Sequence, residues 1–404
     1  MTTLADPPQQ EFRLSMLLND TRYRSYTFQF IALILLILAF AWLGSNLARN
    51  LEAAGLNISY EFLGEPAGYD INQRPIEYDS QSTHMRAAIV GVLNTLIVAF
   101  LGCLTATVIG VAAGVLRLSK NWLVAKLMAV YVEAFRNVPV LIWIIIIFTI
   151  MTAIMPAPRA FRGDEPEARM VWDAFAFTNR GVYTPKPIWG PGSGALVAIF
   201  LASVAGVIAY RRYATQLLYA TGRLLPMGWP SLAIFFLPTL VAFFILGRPV
   251  TLEYPELAGF NFQGGIQIRG SLIALWFALA IYTGAFIAEN VRAGIQAISK
   301  GQTEAAASLG LRPGRIMNLV VLPQALRIII PPLISQYLNL TKNSSLAIAV
   351  GYMDVTGTLG GITLNQTGRA IETILLLMLF YLTISLTISA VMNLYNNAVK
   401  LKER

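Results

Sequence analysis

The chain has 404 residues, 56% of them hydrophobic and only 13% charged, against roughly 25% charged in an ordinary soluble domain. That balance excludes disorder and leaves more apolar surface than one water-soluble core encloses, so the apolar stretches take lipid as their solvent and the predicted class is an all-α integral membrane protein. The net charge of +9 then reads as topological bias in loops with no nucleic acid as partner, and the single cysteine, Cys103, allows neither an intrachain disulfide nor a cysteine-based metal cluster.

Eight segments are apolar enough to predict membrane spans: Phe28 to Leu43, Ala87 to Leu116, Leu127 to Met155, Gly194 to Tyr210, Ser231 to Gly247, Gly270 to Ala288, Pro332 to Tyr352 and Ile374 to Met392. Mostly polar residues precede the first, and no small-residue cleavage pattern follows it, so it reads as a retained anchor and not a signal peptide. With residues 1–27 in the cytoplasm, alternate loops carry Arg13, Arg22, Arg24; Arg117, Lys120, Lys126; Arg211, Arg212, Arg223; Arg292, Lys300, Arg312, Arg315, Arg327; and Lys400, Lys402, Arg404. These are positive-inside faces. The opposite loops, 48–85 and 156–193, are rich in turn residues such as Gly64, Pro66, Pro185 and Pro187 and read as irregular exterior loops. His84, the only histidine, lies at a membrane boundary as an interfacial polar residue, without the partners a multi-histidine metal site requires.

None of the seven lysines follows a glycine as a P-loop lysine does, so the chain has no Walker A motif. Ionisable residues inside spans are costly and mark function by default. Glu133 with Arg136, and Glu289 with Arg292, stand three apart on predicted helices and face one another as candidate ion pairs, or as snorkelling pairs near the cytoplasmic ends. Lys342 follows Leu326 by 16 residues, roughly 24 Å of helix, which carries it deep into the membrane. With Asn343, Ser344 and Ser345 it forms a polar patch read either as lining of a translocation path or as helix-packing glue.

The most informative segment is 299–323. Ser299 with Gln302 predicts an N-cap and capping box, Gly310 suits the left-handed position that stops the helix, and a short helix therefore runs from about Gly301 to Leu309. Pro313 suits the first turn of a second short helix that Pro323 closes. The two form a cytoplasmic knob for a soluble partner.

Glu304-Ala305-Ala306, Gly310 and Leu322-Pro323 resemble the EAA loop of the membrane subunits of ATP-binding-cassette (ABC) importers. Glu133 to Leu141, Glu289 to Ile295, Gln324 to Pro332 and Thr341 to Leu346 resemble the polar amino acid branch, of histidine/glutamine type. The likeness extends from about Met85 to Val399. An added first span (28–47) and an insertion at about 156–268 depart from the compact members and are similar to the larger, Q-type permease of general L-amino acid importers. The resemblance implies a type I importer transmembrane fold over 86–399 in a bacterial inner membrane. It implies a cytoplasmic ABC ATPase dimer that binds the ATP, a second, homologous permease subunit, and a periplasmic amino-acid-binding protein. The chain itself is then no enzyme and holds no cofactor. Glu304, Ala305 and Ala306 are expected to seat in the ATPase cleft, with Gly310 and Pro323 shaping the loop, so that ATP-driven closure rotates the sixth and seventh spans. Two other classes compete: an ion-coupled secondary amino acid transporter, which requires carboxylates near the midplane of the spans, and a noncatalytic membrane scaffold.

Overall fold

The computed structural model describes residues 16–55, 57–163 and 165–399; Arg13, Asp164, Lys400, Lys402, Arg404 and the side chain of Arg22 lie outside the described residues. Two units divide at Glu61 and Phe62. The first holds the single turn α1 (Met16–Asn19) and α2 (Thr21–Ala53). From Phe28 to Leu47 the large apolar residues of α2 are exposed. A helix apolar all round is stable in that state only in lipid or against another apolar surface.

The second unit contains α3 (His84–Leu116), α4 (Trp122–Asn137), α5 (Val140–Ile154), α6 (Ser193–Thr221), α7 (Gly228–Ile245), α8 (Gly270–Gln296), α9 (Lys300–Ser308), α10 (Pro313–Ile316), α11 (Leu322–Asn343), α12 (Leu364–Thr367) and α13 (Ala370–Val399). Among the described residues of the whole chain, seven helices are long and apolar enough to cross a membrane, eight when α4 and α5 count as one span.

The centre of the unit is the pair α3 and α8, which approach closely because glycines face the partner helix. A β-carbon on Gly110 would stand 2.5 Å from Ile287 Cβ, and one on Gly114 2.6 Å from the Ala288 carbonyl. Val98, Ala106, Leu275, Leu279 and Ile287 are fully buried in the core that results. In lipid such dispersion contacts, with no hydrophobic drive between helices, hold the bundle together.

The predicted third span is not continuous. It breaks between α4 and α5 with a bend of 106°, because Val138 is extended (φ −109°, ψ 133°) ahead of Pro139, whose ring disfavours the helical region for the preceding residue. Taken together the two pieces are apolar enough to count as one candidate span. α4 begins beside the Leu116 end of α3, whereas the chain after α5 pairs with strands that reach the His84 end.

The predicted exterior loop 156–193 is less irregular than expected, and its strands pair with others from the segment ahead of α8. The short strands β1 (Ala176–Thr178), β2 (Gly181–Thr184), β3 (Lys186–Trp189), β4 (Val250–Glu253), β5 (Glu256–Ala258), β6 (Asn261–Gln263) and β7 (Ile266–Arg269) form antiparallel pairs. Their order is β1-β2-β7, β3-β4 and β5-β6. Two turns require glycine: Gly259 (φ +62°) between β5 and β6, and Gly264-Gly265 (φ +73° and +66°) before β7. The insertion is thus nested, with β2-β7 outside, β3-β4 next and the α6-α7 hairpin within. That hairpin is joined by Phe200 edge-on to Phe235 at 5.5 Å and by Tyr210 donating to the Pro226 carbonyl at 2.8 Å.

The seventh span also differs from expectation. It begins at Leu322 and passes through Pro323, Pro331 and Pro332 before ending at Asn343. Pro323 does not close a helix. A five-residue π-helical segment, Met317–Val321, carries the chain from α10 into α11, and Pro323 sits in the first turn, where its missing N–H is least costly. Beyond Asn343 come a 3₁₀ segment, Ser344–Val350, a turn at Gly351 (φ +69°) and a π-helical segment, Thr356–Thr363. These lead through α12 to α13.

Candidate coupling loop and translocation path

The knob forms as a short helix against the start of the seventh span. Ser299 is the N-cap residue of α9, but its side chain makes no capping hydrogen bond, so the expected capping box is not formed. Instead the Gln302 N–H donates to the Ser299 carbonyl at 3.1 Å. Gly310 follows at φ +75° with open space around it, as the left-handed stop requires. Ala306 turns inward and is buried with Ile316 and Val321. The face left outside carries Glu304, Ala305 and Ala307, and Leu309 is 80% exposed. Ala306 therefore shapes the knob from within and is absent from the face a partner would touch.

Of the two expected ion pairs one is present. Glu289 accepts from Arg292, and also from Arg117 at the end of α3, so one carboxylate ties the α3 end to the last turns of α8, immediately before α9. Glu133 and Arg136 form no ion pair among the described residues. Asn137 donates to Glu133 at 3.3 Å, and the Arg136 guanidinium lies 5.3 Å over the Phe286 ring.

The polar patch lies deep. Leu340 packs on Gly102, where a β-carbon would stand 2.9 Å from Leu340 Cδ2, and the Tyr337 hydroxyl meets Thr107 Oγ1 at 2.6 Å. Gly102 is the nineteenth of the 33 residues of α3, so Lys342, two residues past Leu340, stands near the middle of the bundle. Thr341 and Ser344 are buried, whereas Lys342 is exposed on the surface of the single chain and makes no ion pair among the described residues. Ser344 donates to the Thr341 carbonyl and Ser345 to the Lys342 carbonyl, both at 2.8 Å. Asn343 precedes the 3₁₀ segment without a side-chain capping hydrogen bond.

The segment that follows is pinned to α3. The Tyr352 hydroxyl donates to the Asn94 carbonyl at 3.2 Å, Asn94 Nδ2 to the Met353 carbonyl at 2.8 Å, and Val355 N–H to Thr95 Oγ1 at 3.1 Å. Thr358 closes on Gly91, where any β-carbon would collide with its hydroxyl at 2.1 Å. Asp354 is buried and accepts from the Gly357 N–H at 2.8 Å. Sequence reasoning placed no carboxylate here because residue 354 follows the apolar run. His84 is not an interfacial side chain either: it is 3% exposed, with Nδ1 3.1 Å from the Thr363 hydroxyl, which also meets the Tyr69 hydroxyl at 3.1 Å.

The model of the family described as "Binding-protein-dependent transport system inner membrane component" matches residues 194–402. The glutamate/glutamine/aspartate/asparagine transport system permease protein BztB of Rhodobacter capsulatus is 53% identical over 428 residues, covering 100% of both chains. The general L-amino acid transport system permease protein AapQ of Rhizobium johnstonii is 43% identical, covering 97% of this chain and 96% of that one. Among solved structures, an amino acid ABC transporter crystallised with histidines matches at 20% identity and a TM-score of 0.45, over 78% of this chain and 95% of the other. Members of this family work with an ATPase and a substrate-binding protein. The chain belongs to the binding-protein-dependent inner membrane component family: it is a multi-pass permease subunit of an ABC importer, and ATP hydrolysis falls to a partner subunit.

Proposed function

We propose that this permease carries L-amino acids along a path lined by Lys342 and its neighbours, and that its α9 knob couples the path to a cytoplasmic ATPase dimer. A second, homologous permease completes the path, and a periplasmic amino-acid-binding protein delivers the substrate. The observation that carries the reading is full-length identity of 53% to a permease named for four acidic and amide amino acids. The identity of 43% to one named for general L-amino acids supports the wider range.

In mechanism, the exposed face of Glu304, Ala305, Ala307 and Leu309 seats in the ATPase. Glu304 offers an acceptor to a partner cation, and the small alanines allow close approach. Because Ala306 of α9 is packed against Ile316 and Val321, and α10 continues through the π segment into α11, rotation of α9 is passed to the helix that carries Lys342. The Glu289 pairs bring the α3 end along with it. Lys342 then attracts the carboxylate common to α-amino acids. ATP binds to the partner, and this chain holds no cofactor of its own.

The test is uptake into proteoliposomes by the whole complex, with a panel of labelled amino acids in competition. ATP-dependent uptake that requires the binding protein is expected. Uptake driven by an ion gradient without ATP would overturn the reading.

A further inference from the structure

The insertion carries a basic end that the transport reading leaves unused. Within it α6 and α7 pack closely: a β-carbon on Gly206 would stand 3.1 Å from Ile234 Cγ2, and Ala214 and Ser231 are buried. The outward faces stay apolar and exposed, with Leu201 and Ile208 on α6 and Leu232, Phe236 and Leu240 on α7. Acyl chains are the solvent that suits such faces. From Ser193, where α6 leaves the strands, to Arg211 the helix rises roughly 27 Å. Arg211 therefore reaches the far edge of a hydrocarbon layer about 30 Å thick.

Arg211, Arg212 and Arg223 collect at this end, all exposed and without an ion pair among the described residues. No aspartate or glutamate occurs from Ser193 to Gly247, so nothing within the hairpin neutralises them. Arg211 Nε donates to the Ser231 hydroxyl at 3.4 Å, which ties the guanidinium to α7 and leaves its terminal nitrogens for an anion. The bond from Tyr210 to the Pro226 carbonyl brings the link between the helices back to the same level. Tyr213, Tyr219, Leu224 and Trp229 are exposed around it, the composition of a membrane–water boundary. A soluble anion uses the arginines alone. A phospholipid uses both features, its phosphate on the guanidiniums and its acyl chains on the apolar faces. A zwitterionic headgroup brings an ammonium for which this acid-free end has no carboxylate.

We propose that the α6-α7 hairpin is a binding site for an anionic phospholipid of the cytoplasmic leaflet, its phosphate held by Arg211 and Arg212 with Arg223 at the rim. The positive charge sets this end on the cytoplasmic side, and the negative surface potential of that leaflet adds to the attraction. The site gives the insertion a use that does not depend on which amino acid is carried.

The experiment titrates the complete complex, in a nonionic detergent, with acyl-labelled fluorescent phosphatidylglycerol and, as reference, the same label on phosphatidylcholine. The wild-type complex is expected to prefer phosphatidylglycerol on the order of tenfold. Arg211→Gln/Arg212→Gln should raise the half-saturating concentration of phosphatidylglycerol by about that factor and leave phosphatidylcholine unchanged. Arg211→Lys/Arg212→Lys keeps the charge that sets topology but loses the planar fork, so its affinity should fall between the two. Equal affinity of the wild type for both lipids overturns the proposal, and so does unchanged phosphatidylglycerol binding in the glutamine variant. Where that variant does not insert, the lysine variant decides, and binding equal to wild type overturns the proposal. Displacement of the lipid by inorganic phosphate at equal concentration would also overturn it, in favour of a soluble-anion site. So would loss of a copurified subunit from either variant with lipid binding intact, which would make the basic end a protein contact.

Discussion

Arg117 at the end of α3 and Arg292 on α8 share the carboxylate of Glu289, which lies 172 residues from the first and one helical turn from the second. Exposure of the Arg117 and Glu289 side chains is 15% and 25%, so the pair is partly buried and its loss leaves two arginines without their anion. Glu289→Gln should lower the stability of the complex by about 1–3 kcal/mol, read as a lower Tm in detergent. The contrast is Asp70→Asn at the Arg74 pair, whose side chains are 67% and 51% exposed at 3.6 Å. That change should stay within about 0.5 kcal/mol. Equal shifts for the two would remove Glu289 from the framework.

The α3-α8 contact makes a second prediction. At Gly114 a β-carbon would meet the Ala288 carbonyl at 2.6 Å and Val291 Cβ at 2.8 Å, so Gly114→Ala forces the backbones apart, whereas Gly44 on α2 has nothing within 4 Å. Overpacking of this kind costs about 1–3 kcal/mol. Gly44→Ala should be neutral or gain up to about 1 kcal/mol of helix propensity. Thermal unfolding of the two variants side by side distinguishes them.

What was legible in the sequence follows from the range over which each feature is determined. Apolar runs are local, so the spans at α2, α3, α6, α7, α8 and α13 were all readable, those at α3 and α7 to within three residues, whereas α2, α6, α8 and α13 run seven to eleven residues past the apolar stretch at one end or both. The break at Val138-Pro139 was present in the letters, yet the apolar residues on both sides carried one run across it. Pro323 was misread as a stop because a π segment, which no local propensity announces, accommodates it. The insertion strands were signalled by Gly259 and Gly264-Gly265, but strands of three or four residues lie below the length at which alternation is visible. Arg117 with Glu289, His84 with Thr363 and Asn94 with Met353 join distant segments, and no reading of spacing reaches them. The EAA segment was legible as a helix and a left-handed stop, while the inward turn of Ala306 depends on Ile316 and Val321 arriving from the next turn.

The exposed tip of the knob gives a third prediction. Leu309 presents an apolar side chain to water at 80% exposure, which a single chain gains nothing by keeping, and it ends the helix that carries Glu304 and is proposed to meet the ATPase. Leu309→Asp and Glu304→Lys should leave the permease in the membrane while reducing copurified ATPase, or its stimulation, by about tenfold or more. Gly310→Ala tests the turn alone. Strain at φ +75° costs about 1 kcal/mol, so partial loss is expected, rising with Gly310→Val. Normal stimulation in Leu309→Asp and Glu304→Lys would remove α9 from the contact.

Lys342 gives the prediction with most to lose. Its level is set by Leu340 on Gly102 and Tyr337 on Thr107, near the middle of α3, where a cation facing lipid would be costly. Among the described residues it has no ion pair, and it lies on the outside of the single chain, so in the proposed complex its surroundings are the proposed second permease, a wet path, or both. If it meets the substrate, it meets the group that all α-amino acids share. Lys342→Met should then preserve assembly and basal ATP hydrolysis while reducing uptake of every amino acid by a similar factor, on the order of tenfold for loss of one charge-assisted contact. Lys342→Arg, which keeps the charge but not its shape, should retain part of the activity. A loss confined to acidic substrates would instead make Lys342 a reader of side chains. Failure of assembly in Lys342→Met would place it in the contact between permeases, and unchanged uptake would take it out of the path.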